Sequence, residues 1–135
     1  MYVCTSEKEK GRFDMSKIYE NKITGLGNQV EAFLDEGMFI LFGNHVPDSL
    51  KEFCYLMDVN PVNGQLRPGQ KLIIDDVSYD ITAVGSLAQK NLESLGHLTI
   101  VFNDASEAGL PGSICVDDKP VPTLVVGSEI TIIEE

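Results

Sequence analysis

The sequence predicts a mainly β domain: a small, largely antiparallel, closed or partly closed barrel with two short helices. Three observations carry that reading. Seven or so short apolar or alternating runs are separated by turn formers. The helical patterns between them are brief. Val and Ile are abundant while Trp is absent, which suits narrow layers of side chains inside a barrel.

Residues 1–15 read as a flexible extension. Glu7-Lys8-Glu9-Lys10-Gly11-Arg12 is a charged run that can bury little, and Met15 offers an alternative start. A single domain is expected over 16–135. Its first strand is Lys17 to Thr24, closed by Gly25-Leu26-Gly27. Val30, Phe33 and Leu34 then repeat at helical spacing before Gly37, which predicts one short helical turn. Met38-Phe39-Ile40-Leu41-Phe42 is continuously apolar, as a buried strand is.

After the loop Gly43 to Val46, Pro47 suits a helix's first turn, where its missing N–H leaves no bond unmade. Leu50, Phe53, Cys54 and Met57 follow at i, i+3, i+4 and i+7, which predicts a helix ending near Asp58. Val59 to Gly64 is rich in turn formers. Lys71 to Ile74, the turn Asp75-Asp76 and the alternating run Val77 to Val84 make a hairpin.

Ser86 is an N-cap candidate, and Ala88, Leu92 and Leu95 form one helical face. Gly96 stands where a helix needs a left-handed cap. His97 therefore leaves the helix at a fixed turn and enters the strand Leu98 to Phe102. Residues 103–112 read as loop with one helical turn, and the strands Ser113 to Val116 and Ser128 to Ile133 complete the set. A faint echo links Pro68-Gly69-Gln70-Lys71-Leu72 with Val126-Gly127-Ser128-Glu129-Ile130, a glycine turn feeding a strand in each. It is too short to establish a duplication.

Composition narrows the function. Formal net charge is −11, which argues against nucleic acid as a partner because phosphates would be repelled. The start of the chain lacks the apolar core of a secretory signal, and no apolar run approaches membrane-spanning length, so a cytoplasmic protein is expected. Cys4, Cys54 and Cys115 are widely spaced, without a CxxC pair, and read as reduced thiols. The chain has no phosphate loop, nucleophile elbow, HExxH or dinucleotide fingerprint. Asp75-Asp76 and Asp117-Asp118 read as turns rather than acid–base pairs.

Two histidines remain. An imidazole can act as a nucleophile, carry phosphoryl on nitrogen or bind a metal. Without an acidic cluster, the two make a weak metal case. His45 sits in a polar loop and is expected to be exposed. His97, fixed between a cap and a strand, is the candidate for chemistry.

The run Thr82-Ala83-Val84-Gly85-Ser86-Leu87-Ala88-Gln89-Lys90-Asn91-Leu92-Glu93-Ser94-Leu95-Gly96-His97-Leu98-Thr99 resembles the signature of the glucitol/sorbitol-specific EIIA components of the phosphoenolpyruvate-dependent sugar phosphotransferase system. Phe53-Cys54, Pro68-Gly69 and Leu110-Pro111-Gly112-Ser113-Ile114 extend the likeness over roughly 16 to 133. The resemblance implies a cytoplasmic phosphocarrier that takes phosphoryl on histidine from the carrier HPr and passes it to the permease's B component. It implies no metal or organic cofactor.

One departure matters. The family pattern places its usual phosphoacceptor histidine, and a second histidine two residues on, shortly after the Phe-Cys pair. Those positions are Met57 and Val59 here, and neither side chain can take a phosphoryl group. His97 is then the candidate acceptor. The alternative is a non-phosphorylatable interaction or regulatory module that keeps the barrel. A sugar-binding barrel has little support without Trp. A homodimer is compatible with the expected fold.

Overall fold

The computed structural model describes residues 17–134, and eight strands in it close one barrel. They are β1 (Lys17–Leu26), β2 (Met38–Phe42), β3 (Cys54–Met57), β4 (Lys71–Ile74), β5 (Val77–Val84), β6 (Leu98–Phe102), β7 (Ser113–Val116) and β8 (Glu129–Ile133). The order around the barrel is β1-β3-β2-β6-β7-β5-β4-β8. Six pairings are antiparallel; β2 with β3 and β6 with β7 are parallel. Closure removes the exposed strand edges that an open sheet would present. Alternate residues such as Phe39 and Leu41, Leu72 and Ile74, Ile130 and Ile132 fill the inside. The expected extension 1–15, with Cys4, lies outside the described residues.

Three short helical pieces bridge the strands: a 3-10 helix at Val30–Glu36, α1 (Asp48–Lys51) and α2 (Ala88–Leu95). Three expectations need correction. The helix expected to run to Asp58 stops after one turn, and Cys54–Met57 is the strand β3. The helical spacing of Leu50, Phe53, Cys54 and Met57 is accidental; Tyr55, which such a helix would have turned outward, is buried between β1 and β2. Ser86 does not cap α2. The cap position is Leu87, and the first-turn amide of Ala88 donates to the backbone oxygen of Gly85 at 3.2 Å rather than to a hydroxyl. Residues 103–112 form bends and turns without a helical turn.

The barrel is built twice. Gly69 N–H donates to Ile81 O (2.9 Å) and Ile81 N–H to Gln70 O (2.8 Å); 58 residues away, Gly127 N–H donates to Ile23 O (2.8 Å) and Ile23 N–H to Ser128 O (2.9 Å). Both glycines have φ +98, a left-handed conformation that side chains resist. Gly27 and Gln29 donate to Cys54 and Glu52, as Gly85 and Leu87 donate to Ser113 and Pro111. The two longer helices end on left-handed glycines, Gly37 and Gly96. Exchanging β1–β4 with β5–β8 returns the same strand order. The parallel registers Ile40 opposite Cys54 and Thr99 opposite Ser113 place His97 in the repeat position of Met38, and Val101 in that of Phe42.

Candidate functional site

His97 is delivered by the end of α2. Gly96, at φ +69, donates to Leu92 O (3.0 Å), and His97 N–H reaches back to Asn91 O (3.2 Å). These bonds satisfy carbonyls that the last helical turn would leave open. The expected glycine cap is therefore present, and it fixes where the imidazole starts.

The end of β2 fixes how the ring is turned. Leu41 pairs with Leu98 in the antiparallel β2–β6 ladder, so Phe42 and His97 face each other one position further. The His97 Nδ1 lies 3.2 Å from Leu41 O. A carbonyl can only accept, so Nδ1 carries the hydrogen and donates. In the neutral ring this leaves the lone pair on Nε2. Phe42 stacks on the imidazole with centroids 4.5 Å apart and planes 27° from parallel. Among the described residues no group hydrogen-bonds to Nε2. The ring is half-buried.

Two glycines let the turns meet. Gly43 N–H donates to Leu95 O at 2.9 Å. A Cβ on Gly43 would sit 2.4 Å from that oxygen and 2.6 Å from Val59 Cγ2. A Cβ on Gly96 would sit 3.0 Å from the Gly43 backbone. Val59 (39% exposed) and Leu95 (44%) consequently stand at this junction as an apolar rim. Asn44 ties the adjoining loop to Asp58, its amide donating to the carboxylate at 3.4 Å.

The other candidates are distributed differently. His45 is exposed in the loop after β2, and no hydrogen bond among the described residues orients its ring. Met57 is fully buried inside the barrel. Its sulfur accepts a long O–H···S contact from Tyr19 (3.8 Å), and Asn21 donates to Tyr19 Oη (2.8 Å) and to Asp58 O (2.7 Å). Burial raises the pKa of the Tyr19 hydroxyl, with the Asn21 bond pulling the other way, so it stays protonated at neutral pH. The structure thus separates the pair singled out after Phe53-Cys54: Met57 points into the core and Val59 joins the His97 rim. Cys54 and Cys115 are buried free thiols; burial pushes Cys54 up to about 11. Such thiols are poor nucleophiles.

Among the described residues no group of three or more His, Cys, Asp or Glu side chains is placed to hold a metal ion. No helix among them is long and apolar enough to cross a membrane. A polar hollow of about 380 Å³ opens between β1 and β8 beside Lys22, Asn60 and Glu129, and its lining does not include His97. Leu41 O and Phe42 are the site partners that sequence reasoning missed. A backbone oxygen has no sequence signature, and Phe42 looked like one more residue of a buried strand.

The arrangement is that of a single oriented imidazole with one nitrogen held and the other available to an electrophile. Comparisons with known proteins agree on a relationship. The family profile described as "PTS system glucitol/sorbitol-specific IIA component" matches residues 18–131. The glucitol/sorbitol-specific EIIA components of Shigella flexneri and of Escherichia coli (strain K12) are each 37% identical over 108 residues, covering 80% of this chain and 87% of theirs. The crystal structure of a PTS system IIA component from Enterococcus faecalis V583 superposes with a TM-score of 0.73 at 27% identity, covering 86% of this chain and all of that one.

Proposed function

The chain belongs to the glucitol/sorbitol-specific IIA family of the sugar phosphotransferase system, and on that premise we propose that His97 is its phosphoacceptor, through Nε2. As a member, it is a phosphocarrier component that interacts with the system's phosphocarrier and membrane components. The observation that carries the His97 assignment is the 3.2 Å bond from Nδ1 to Leu41 O, which leaves Nε2 as the nucleophilic nitrogen. Met57, at the usual acceptor position, offers no nitrogen and lies inside the barrel.

The transfer needs little from the protein beyond positioning. The Nε2 lone pair attacks the phosphorus of the donor's phosphohistidine, the donor's P–N bond breaks, and its electron pair returns to the donor ring. The Nδ1 hydrogen stays in place, and the new phosphoimidazole carries its positive charge over the ring. Onward transfer reverses these events: the Nε2–P bond breaks and a neutral imidazole leaves. A neutral leaving group is better than the imidazolate that would form if Nδ1 had lost its proton.

In this reading an HPr-type protein is the donor, the permease's B component is the acceptor, and the transfer takes place in the cytoplasm. Residues 16–135 act as one domain, supported by a single barrel with one continuous core. A homodimer is compatible with this reading and is tested by sedimentation. Incubation with phosphoenolpyruvate, the general enzyme and HPr tests the acceptor. Acid-labile phosphate should be present in the wild type and in His45→Ala and absent in His97→Ala. Label that survives His97→Ala would overturn the assignment. A docking module without phosphate would leave every variant unlabelled while still binding HPr.

A further inference from the structure

We propose that Phe42 is a positioning residue for phosphoryl transfer, its ring holding the face of His97 while the Leu41 carbonyl holds its edge. The inference rests on His97 being the acceptor and assigns a role to the residue beneath it.

Two constraints of different direction are needed to aim a ring nitrogen. The bond from Nδ1 to Leu41 O resists rotation within the ring plane. It also opposes a half-turn about the Cβ–Cγ bond, which would put carbon where Nδ1 donates, but it does little against tilting of the plane. The stacked Phe42 ring, 4.5 Å away and 27° from parallel, opposes that tilt. Both constraints come from neighbouring residues at one strand end, so they move together.

The fold itself does not require this pair. Phe42 is only 6% exposed, yet it lies outside the continuous core that fills the barrel, whereas Leu41 beside it points into that core. It is buried outside that core, with the imidazole stacked on its ring. The internal repeat supplies a comparison within the same molecule. At the other end of the β2–β6 ladder, Val101 stands where Phe42 does and Met38 where His97 does, and both are half-buried. The barrel closes there without an aromatic pair. Phe42 is therefore matched to the histidine rather than to the architecture.

The stack also suits the charge that the reaction creates. Formation of the Nε2–P bond with Nδ1 still protonated leaves the ring positive, and an aromatic face attracts a cation. The carbonyl and the aromatic ring thus stabilise the same form, the one from which neutral imidazole departs.

The test uses the full chain charged by phosphorylated HPr in single turnovers at several HPr concentrations, with ¹⁵N spectra of His97 recorded before charging. Phe42→Leu should lower the limiting rate by about threefold to tenfold, the range a lost aromatic pair implies. The half-saturating HPr concentration should stay within about twofold, since the ring packs on the imidazole and not on the partner. The same variant should show a smaller share of the Nδ1-protonated tautomer, and Phe42→Tyr should restore both. If Phe42→Leu folds poorly, Phe42→Met fills the same space without a ring and should behave alike. A limiting rate and tautomer unchanged in the ring-free variants would overturn the proposal. So would a change confined to half-saturation. The tautomer readout needs no phosphate, so a wild type that never labels at His97 would refute the acceptor assignment separately.

Discussion

Gly43→Ala should destabilise the protein far more than a single methyl group suggests. The added Cβ would lie 2.4 Å from Leu95 O, 3.2 Å from Leu95 C and 2.6 Å from Val59 Cγ2. The first two are backbone atoms at the end of α2; the 2.4 Å approach is closer than real Cβ atoms come, and the 3.2 Å one is tight. Val59 can rotate away, but the backbone cannot without opening the bond from Gly43 N–H to Leu95 O. Losing that bond costs about 0.5–1.5 kcal/mol. Forcing the two segments apart adds about 1–3 kcal/mol, the usual range for overpacking. A total of about 1.5–4.5 kcal/mol corresponds to a fall in Tm of roughly 5–16 °C for a domain of this size. Gly109→Ala is the control, because a Cβ there meets nothing within 4 Å. It should stay within about 0.5 kcal/mol of wild type. Urea and thermal melts followed by circular dichroism measure both. A Gly43→Ala protein as stable as Gly109→Ala would refute the close approach that seats His97.

Two further expectations concern the core. Met57→Ala removes a fully buried side chain and should cost about 2–5 kcal/mol in urea denaturation, with phosphate labelling still possible under native conditions; loss of label from the fully folded variant would return Met57 to the site. Burial raises the Cys54 thiol from its usual value to about 11. An acid group raised in the folded state favours folding below its unfolded pKa and loses that contribution as pH rises toward the folded value. Stability should therefore decline between about pH 9 and 11, and less steeply in Cys54→Ala; identical slopes would contradict the burial effect. At neutral pH the Cys54 thiol should react with a thiol reagent only after unfolding.

Most of the strand plan was legible in residues. Met38 to Phe42 and Lys71 to Ile74 are short apolar runs between turn formers, and the structure keeps their limits. The β3 strand is hidden in the sequence because Leu50, Phe53, Cys54 and Met57 mimic a helical stripe. The burial of Tyr55 needed neighbours on both sides, which no local pattern reports. The duplication was visible only as the echo around Gly69 and Gly127. Left-handed turns restrict those positions nearly to glycine, while core positions accept any side chain of suitable volume. At the site, the Gly96 cap announced itself, whereas the orientation of His97 depends on a carbonyl and a ring brought in by strand register.

The most direct test is the position of phosphate on the charged protein. Phosphorylation by phosphoenolpyruvate, the general enzyme and HPr, followed by ³¹P and ¹⁵N spectroscopy of the intact chain, identifies both the residue and the nitrogen. Phosphate on Nε2 of His97, with Nδ1 still protonated, is the predicted result. Phosphate on His45, on Nδ1 of His97, or on neither histidine would contradict it.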